Sequence, residues 1–215
     1  MDNRNMVHDL QIKLFRKELR IPKVPIGNLK WLNLEGRRND NNPKGDRSFE
    51  LRLTRDDALF LHDLKWRVKK RGWSPAEGKF VNSDNMDAFA DDEDRCEYKL
   101  KVSVNYDSNR PPLIYRVVDD PLDPERDPNK RVTKRKMLPN ASNPEKDLAQ
   151  IDNDSIICVD LIISGWTSSR DGKISAYVSK ALFYVESNEI LDEWARYENE
   201  DEEDEEDSSV DIDIF

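Results

Sequence analysis

Residues 98 to 106, YKLKVSVNY, alternate without a break: Leu100, Val102, Val104 and Tyr106 share one face and Lys99, Lys101, Ser103 and Asn105 the other. That two-residue period is the signature of a half-buried β-strand, and it recurs through the chain. RSFELRL (47 to 53) turns Phe49, Leu51 and Leu53 one way and Ser48, Glu50 and Arg52 the other. LIYRVV (113 to 118) is expected as the antiparallel partner of the 98 to 106 strand, after the turn signal Arg110-Pro111-Pro112. SIICVDLIISGW (155 to 166) is apolar on nearly both faces, as in a central strand, and KISAYVSKALFYV (173 to 185) returns after the turn-forming Ser168 to Gly172.

One helix interrupts the strands. Thr54 stands three residues before Asp57, an approximate capping box that opens a helix through ALFLHDLKWRVKKR, with Gly72 as its stop. Residues 74 to 94 read as an acidic loop, and residues 119 to 155, with five prolines among many charges, as a long basic, proline-rich loop. About six strands and one helix point to a mainly β fold, an OB-like barrel of five to six strands with long loops. The expected division is an N-terminal arm over 1 to 22, the barrel domain over 23 to 190 and a disordered acidic tail over 191 to 215.

The charge is divided unevenly. Residues 198 to 215 hold eleven Asp or Glu and no Lys or Arg, so a chain of net charge −10 has a body of +1 over residues 1 to 197. A body of that kind with clustered cations accommodates an anionic ligand, which the overall balance would have argued against. No apolar run approaches the length of a membrane span, and the N-terminus lacks the basic-then-apolar order of a signal peptide, so an intracellular protein without membrane partners is expected. Cys96 and Cys158 are too few and too far apart for a disulfide framework. Two histidines, no CxxC spacing, no P-loop and no nucleophile elbow give no catalytic constellation, no metal ligands and no cofactor motif, so a non-enzymatic protein is expected.

Single-strand binding needs cations for phosphates and exposed rings for bases. Both types occur together: Trp66 and Trp73 bracket Arg67, Lys69, Lys70 and Arg71; Trp31 precedes Arg37, Arg38, Lys44 and Arg47; Tyr106 and Tyr115 flank Arg110 and Arg116. Lys99 and Lys101 lie on the polar face of their strand. KRVTKRK (130 to 136), with Lys134, Arg135 and Lys136, reads as a flap over a bound strand ahead of a localisation look-alike or a solubilising loop. Phe49, Phe183 and Trp166, in or beside apolar strands, are assigned to the core.

The ordered succession GDRSFEL (45 to 51), LKWRVKKRGW (64 to 73), YKLKVSVNYDSNRPPLIY (98 to 115) and SIICVDLIISGWTSSRDGKISAYVSKALFYV (155 to 185) resembles phage-encoded single-stranded DNA-binding proteins with an OB fold. The resemblance implies coating of single strands without strong sequence preference during phage replication, recombination or repair, in the cytoplasm of an infected bacterium. It also implies that Asp211, Ile212, Asp213, Ile214 and Phe215 form a docking peptide for replication proteins such as a polymerase, helicase or primase. A homodimer is a further expected partner state. The competing reading is an acidic-tailed adaptor, a DNA mimic or histone-chaperone-like protein in which the tail is the working segment.

Overall fold

The computed structural model describes residues 6–40, 42–89, 96–127, 132, 134–139, 141–142, 146–151 and 155–186. The tail, with Asp211 to Phe215, and Lys130 and Arg131 of the basic run lie outside the described residues. Eleven strands and one α-helix are described: β1 (Lys13–Phe15), β2 (Glu18–Pro25), β3 (Leu29–Asn33), β4 (Ser48–Leu53), α1 (Arg55–Asp63), β5 (Val68–Ser74), β6 (Lys79–Ser83), β7 (Cys96–Ser103), β8 (Leu113–Val118), β9 (Lys134–Met137), β10 (Ile156–Thr167) and β11 (Ile174–Val185). The fold is mainly β with one helix, as the alternation implies.

All strands join one sheet whose main path runs β1-β2-β10-β11-β7-β4-β3, with β5 and β6 branching from β7 and β8 and β9 from β11. The path ends on β1 and β3 without closing, so it carries more strands than the expected five or six and is open at its ends. β10 is central, paired on one side with β2 and on the other with β11. Alternate residues of the longer strands fill one core: Leu19 and Ile21 from β2, Phe49 and Leu51 from β4, Leu100 and Val102 from β7, Leu161 and Ile163 from β10, Phe183 from β11. Burying such side chains contributes ~1.5–3 kcal/mol each, which makes the inward half of these strands the least replaceable part.

Several elements depart from their expected form. The stretch expected as an arm through residue 22 enters the sheet at Lys13, because Leu19, Ile21 and Val24 are fully buried and can only be so as part of β2. The helix starts as expected, with the Thr54 hydroxyl accepting from the Asp57 N–H at 3.4 Å, but ends at Asp63 instead of Arg71. Lys65 then takes a φ of +70°, and Val68, Lys70 and Gly72 turn inward as alternate residues of β5 against β7. A helix would scatter those three around its circumference, whereas a strand buries them together. Gly72 is not a helix stop: a Cβ there would lie 2.4 Å from the Phe89 ring, so the residue is small to let the 84 to 89 segment pack on β5.

The segment read as an acidic loop contains β6, which pairs with β5 across a turn at Gly78 (φ +61°). β8 runs parallel to β11 and antiparallel to β9 and does not pair with β7. After β7 the Val104 N–H donates to the Arg47 carbonyl and Arg47 lies over the Tyr106 ring, which draws the chain toward β4 before Ile114 and Val117 bury beside β11. Within 119 to 155, β9 and a short 3-10 turn at Leu148–Gln150 are ordered elements; the Asp147 carboxylate accepts from the Ala149 N–H at 2.9 Å. Cys96 and Cys158 are not joined in a disulfide. Among the described residues no helix is long and apolar enough to cross a membrane.

Candidate nucleic-acid interface

Because paired residues of antiparallel strands share a face, the registers locate the outward side chains of β3, β4, β7, β5 and β6. Lys30 pairs with Glu50 and Glu50 with Lys101; Arg52 pairs with Lys99 and Lys99 with Lys69; Glu97 pairs with Arg71, and Trp73 with Phe80. Their neighbours Leu51, Leu100, Val102 and Val68 are buried on the other side. Six cations therefore share this outer face with two carboxylates, Glu50 and Glu97. Lys69 directly opposite Lys99 is a like-charge pair, an arrangement that costs stability and is relieved only in part by Glu50, whose oxygens accept from Lys99 Nζ at 2.7 and 2.9 Å.

Aromatic rings stand at both ends of the patch. Trp31 is 69% exposed, and Lys30 Nζ lies 5.8 Å from its ring centroid. Its φ of +56° falls at a register shift between Lys30 and Asn33. A bulky residue in left-handed backbone is strained by ~1–2 kcal/mol, and strain of that kind concentrates at functional positions. At the other end Trp73, 42% exposed, meets Phe80 edge-on at 5.4 Å and 74°, and the Arg71 guanidinium lies 5.2 Å above the Phe80 ring.

Glu97 ties the cations together. Its carboxylate accepts from Lys30 Nζ at 2.9 Å and lies 3.8 Å from Arg52 and 3.6 Å from Arg71. Burial would push this carboxyl up, but the Lys30 hydrogen bond and the charges of Lys30, Arg52 and Arg71 together hold it below the ordinary value. A depressed carboxyl contributes stability above its unfolded pKa and loses it as pH falls through the folded one, so the cluster loosens in acid. A phosphate arriving here competes with Glu97. Glu97→Gln is accordingly expected to tighten binding of a polyanion at low salt by roughly fivefold, the ~1 kcal/mol of one charge pair at 4 Å in a water-like dielectric. Titration of labelled oligo-dT with both proteins reads the change; equal or weaker binding by the variant would place the anion elsewhere.

Of the residues expected from sequence, Trp31, Lys69, Arg71, Trp73, Lys99 and Lys101 come together on this face. Lys70 does not: it is 1% exposed, and its Nζ donates to the carbonyls of Met86 at 2.9 Å and Phe89 at 2.6 Å. Lys99 is on the face but held by Glu50, leaving Lys101 the more exposed of the two. Arg37, Arg38 and Lys44 lie in the loop between β3 and β4, where Arg37 is paired with Glu35 at 2.6 Å and its pKa is raised by that hydrogen bond. Arg47 lies over Tyr106, whose phenol is pushed up to about 12 by burial. Arg110 is exposed in the loop after β7.

Tyr115 and Arg116 on β8 and Lys134, Arg135 and Lys136 on β9 form a separate group beyond β11, where Lys180 Nζ lies 5.8 Å from the Tyr115 ring. Burial first, then the Lys134 charge, lowers the pKa of Lys180. Trp66 is core at 2% exposure, as are Phe49 and Phe183, whereas Trp166, assigned to the core, is 71% exposed. Sequence reasoning missed Lys30, Arg52 and Phe80. The first two were legible as polar-face neighbours of Trp31 and of the RSFELRL alternation; Phe80 was hidden in a segment read as loop.

No curated protein matches the sequence. Among solved structures, a single-stranded DNA-binding protein from bacteriophage Enc34 is similar at 11% identity and a TM-score of 0.34, over 84% of this chain and 92% of that one. A family model described as "Putative phage ssDNA-binding domain" matches residues 11–213, nearly the whole sequence. With that span, the chain that carries this cationic, aromatic-bordered sheet face belongs to the phage single-stranded DNA-binding domain family.

Proposed function

We propose that the outer face of β3, β4, β7, β5 and β6 binds single-stranded DNA without strong sequence preference, serving replication or recombination of phage DNA. The observation that carries this reading is the six-cation patch bordered by exposed Trp31 on one side and the Trp73–Phe80 pair on the other. Phosphates take the place of Glu50 and Glu97 on the lysines and arginines, and unstacked bases lie on the rings, each worth ~1–3 kcal/mol. A duplex keeps its bases inside and gains only the phosphate contacts. Arg37, Arg38 and Lys44 extend the positive rim from the β3–β4 loop, and the acidic tail recruits replication proteins through Ile214 and Phe215.

Affinity for oligo-dT measured over a salt series tests the reading. With each neutralised phosphate giving a log–log slope of about 0.7, engagement of all six cations predicts a slope near 4 and preference for single strands over duplex. A slope near zero, or tighter binding of duplex, would contradict it.

A further inference from the structure

Register pairs carry a continuous row of outward side chains beyond the cationic patch. Ser48 on β4 pairs with Ser103 on β7, Ser103 with Tyr177 on β11, and Tyr177 with Ser164 on β10. Ser164 pairs in turn with Glu18 on β2, and Glu18 with Phe15 on β1. Counted from β3, where Asn33 pairs with Ser48, the row crosses seven strands, about 29 Å at ~4.8 Å per step. Its middle is hydroxylic, three serines and the phenol of Tyr177, with Val102, Ala176 and Ile163 buried beneath, so it forms a polar track across the sheet.

The track leads to a second aromatic and basic cluster. Trp166 is 71% exposed and Phe15 62%, among the described residues the two most exposed large rings outside the first patch. The turn between β1 and β2 is fixed against the end of β10: the Gly165 N–H donates to the Lys17 carbonyl at 2.6 Å and Lys17 Nζ donates to Thr167 Oγ1 at 2.7 Å. Arg16, at a φ of +58°, places its guanidinium 5.7 Å from the Phe15 ring. Gly165 turns inward onto Trp66, which leaves Trp166 directed out. Rings of this size are normally buried; here Phe15 stands beside Arg16, and Trp166 lies at the end of the strand to which Lys17 is tied.

We infer that Phe15, Arg16, Lys17 and Trp166 form a second base-stacking platform for the same DNA strand, which runs from the Trp31 and Trp73 patch along the hydroxylic track to the β1–β2 turn. The cations beside the rings favour a nucleic acid over an apolar partner, and the continuity of the row with the first patch favours one strand over two separate ligands. The inference rests on the reading that the first patch binds single-stranded DNA. A (dT)4 oligomer, about 14 Å at the stacked spacing of ~3.4 Å, is too short to bridge the two platforms and binds chiefly on the first, with its six cations, whereas (dT)20 reaches both.

The test compares full-length protein with Trp166→Ala and Arg16→Glu on both oligomers, with light scattering and melting temperature measured alongside. Each variant is expected to lose about tenfold or more on (dT)20, within the range of one stacked base, and to keep its (dT)4 affinity, while Trp166→Phe retains most (dT)20 binding. Unchanged (dT)20 affinity in variants of a protein that binds both oligomers overturns the second platform and leaves the first standing. Equal losses on both oligomers, or a change of oligomeric state with DNA affinity intact, also overturn it, the latter assigning the rings to a contact between copies. Failure of the wild-type chain to bind either oligomer sinks the first reading instead.

Discussion

Replacing Trp31 with glycine and Trp73 with alanine together is expected to weaken single-stranded DNA binding by at least about 30-fold while leaving the fold in place. Each ring is assigned one stacked base at ~1–3 kcal/mol, so the pair removes ~2–6 kcal/mol of binding free energy, and the lower bound alone is a factor near 30. Glycine is chosen at position 31 because it adopts a φ of +56° without the strain a tryptophan bears there. Stability lost with the Trp73–Phe80 contact, ~0.5–1.5 kcal/mol, is offset by that relief. Affinity for oligo-dT and the melting temperature are the two readouts. Retained affinity would remove the rings from the interface, and a collapse of the melting temperature would make them structural.

The opposite pattern is expected at Lys70, a cation that belongs to the fold. Lys70→Met keeps the apolar stem but deletes the hydrogen bonds from Nζ to the carbonyls of Met86 and Phe89, each made by a charged donor and worth ~1.5–3 kcal/mol. Methionine avoids burying a charge, which returns part of the loss and leaves a net destabilisation of about 2–4 kcal/mol. For a chain of this size that lowers the melting temperature by roughly 5–15 °C. Oligo-dT affinity of the protein that remains folded should change less than about twofold. Unchanged stability together with weakened DNA binding would put the Lys70 ammonium on the surface.

These two variants mark where the sequence was legible and where it was not. Strict alternation in β4 and β7 correctly placed Lys99 and Lys101 opposite the core, because one face of each strand is buried and the period admits a single register. The same logic failed for KWRVKKR, since Lys and Arg are good helix formers and a capped helix does precede them. Pairing of β5 with β7 overrides that propensity, and only the strand period separates outward Lys69 and Arg71 from inward Lys70. Trp166 was misassigned because it ends an apolar run; the run outlasts the core by that residue, and Gly165 fills the last inward place. The exposure of Trp31 depends on a bulge that no hydropathy pattern reports. The gathering of five strands into one cationic face is a matter of long-range register, which local sequence does not encode.

Ultraviolet crosslinking of the full-length protein to oligo-dT, with the attached peptides identified by mass spectrometry, tests the central claim most directly. The account predicts crosslinks on peptides containing Trp31, Trp73 and Phe80, all lost when excess unlabelled single strand is added and retained when excess duplex is added. Crosslinks confined to the loop after β7 and to the β8–β9 hairpin around Tyr115 and Lys134, with none on the three rings, would contradict it.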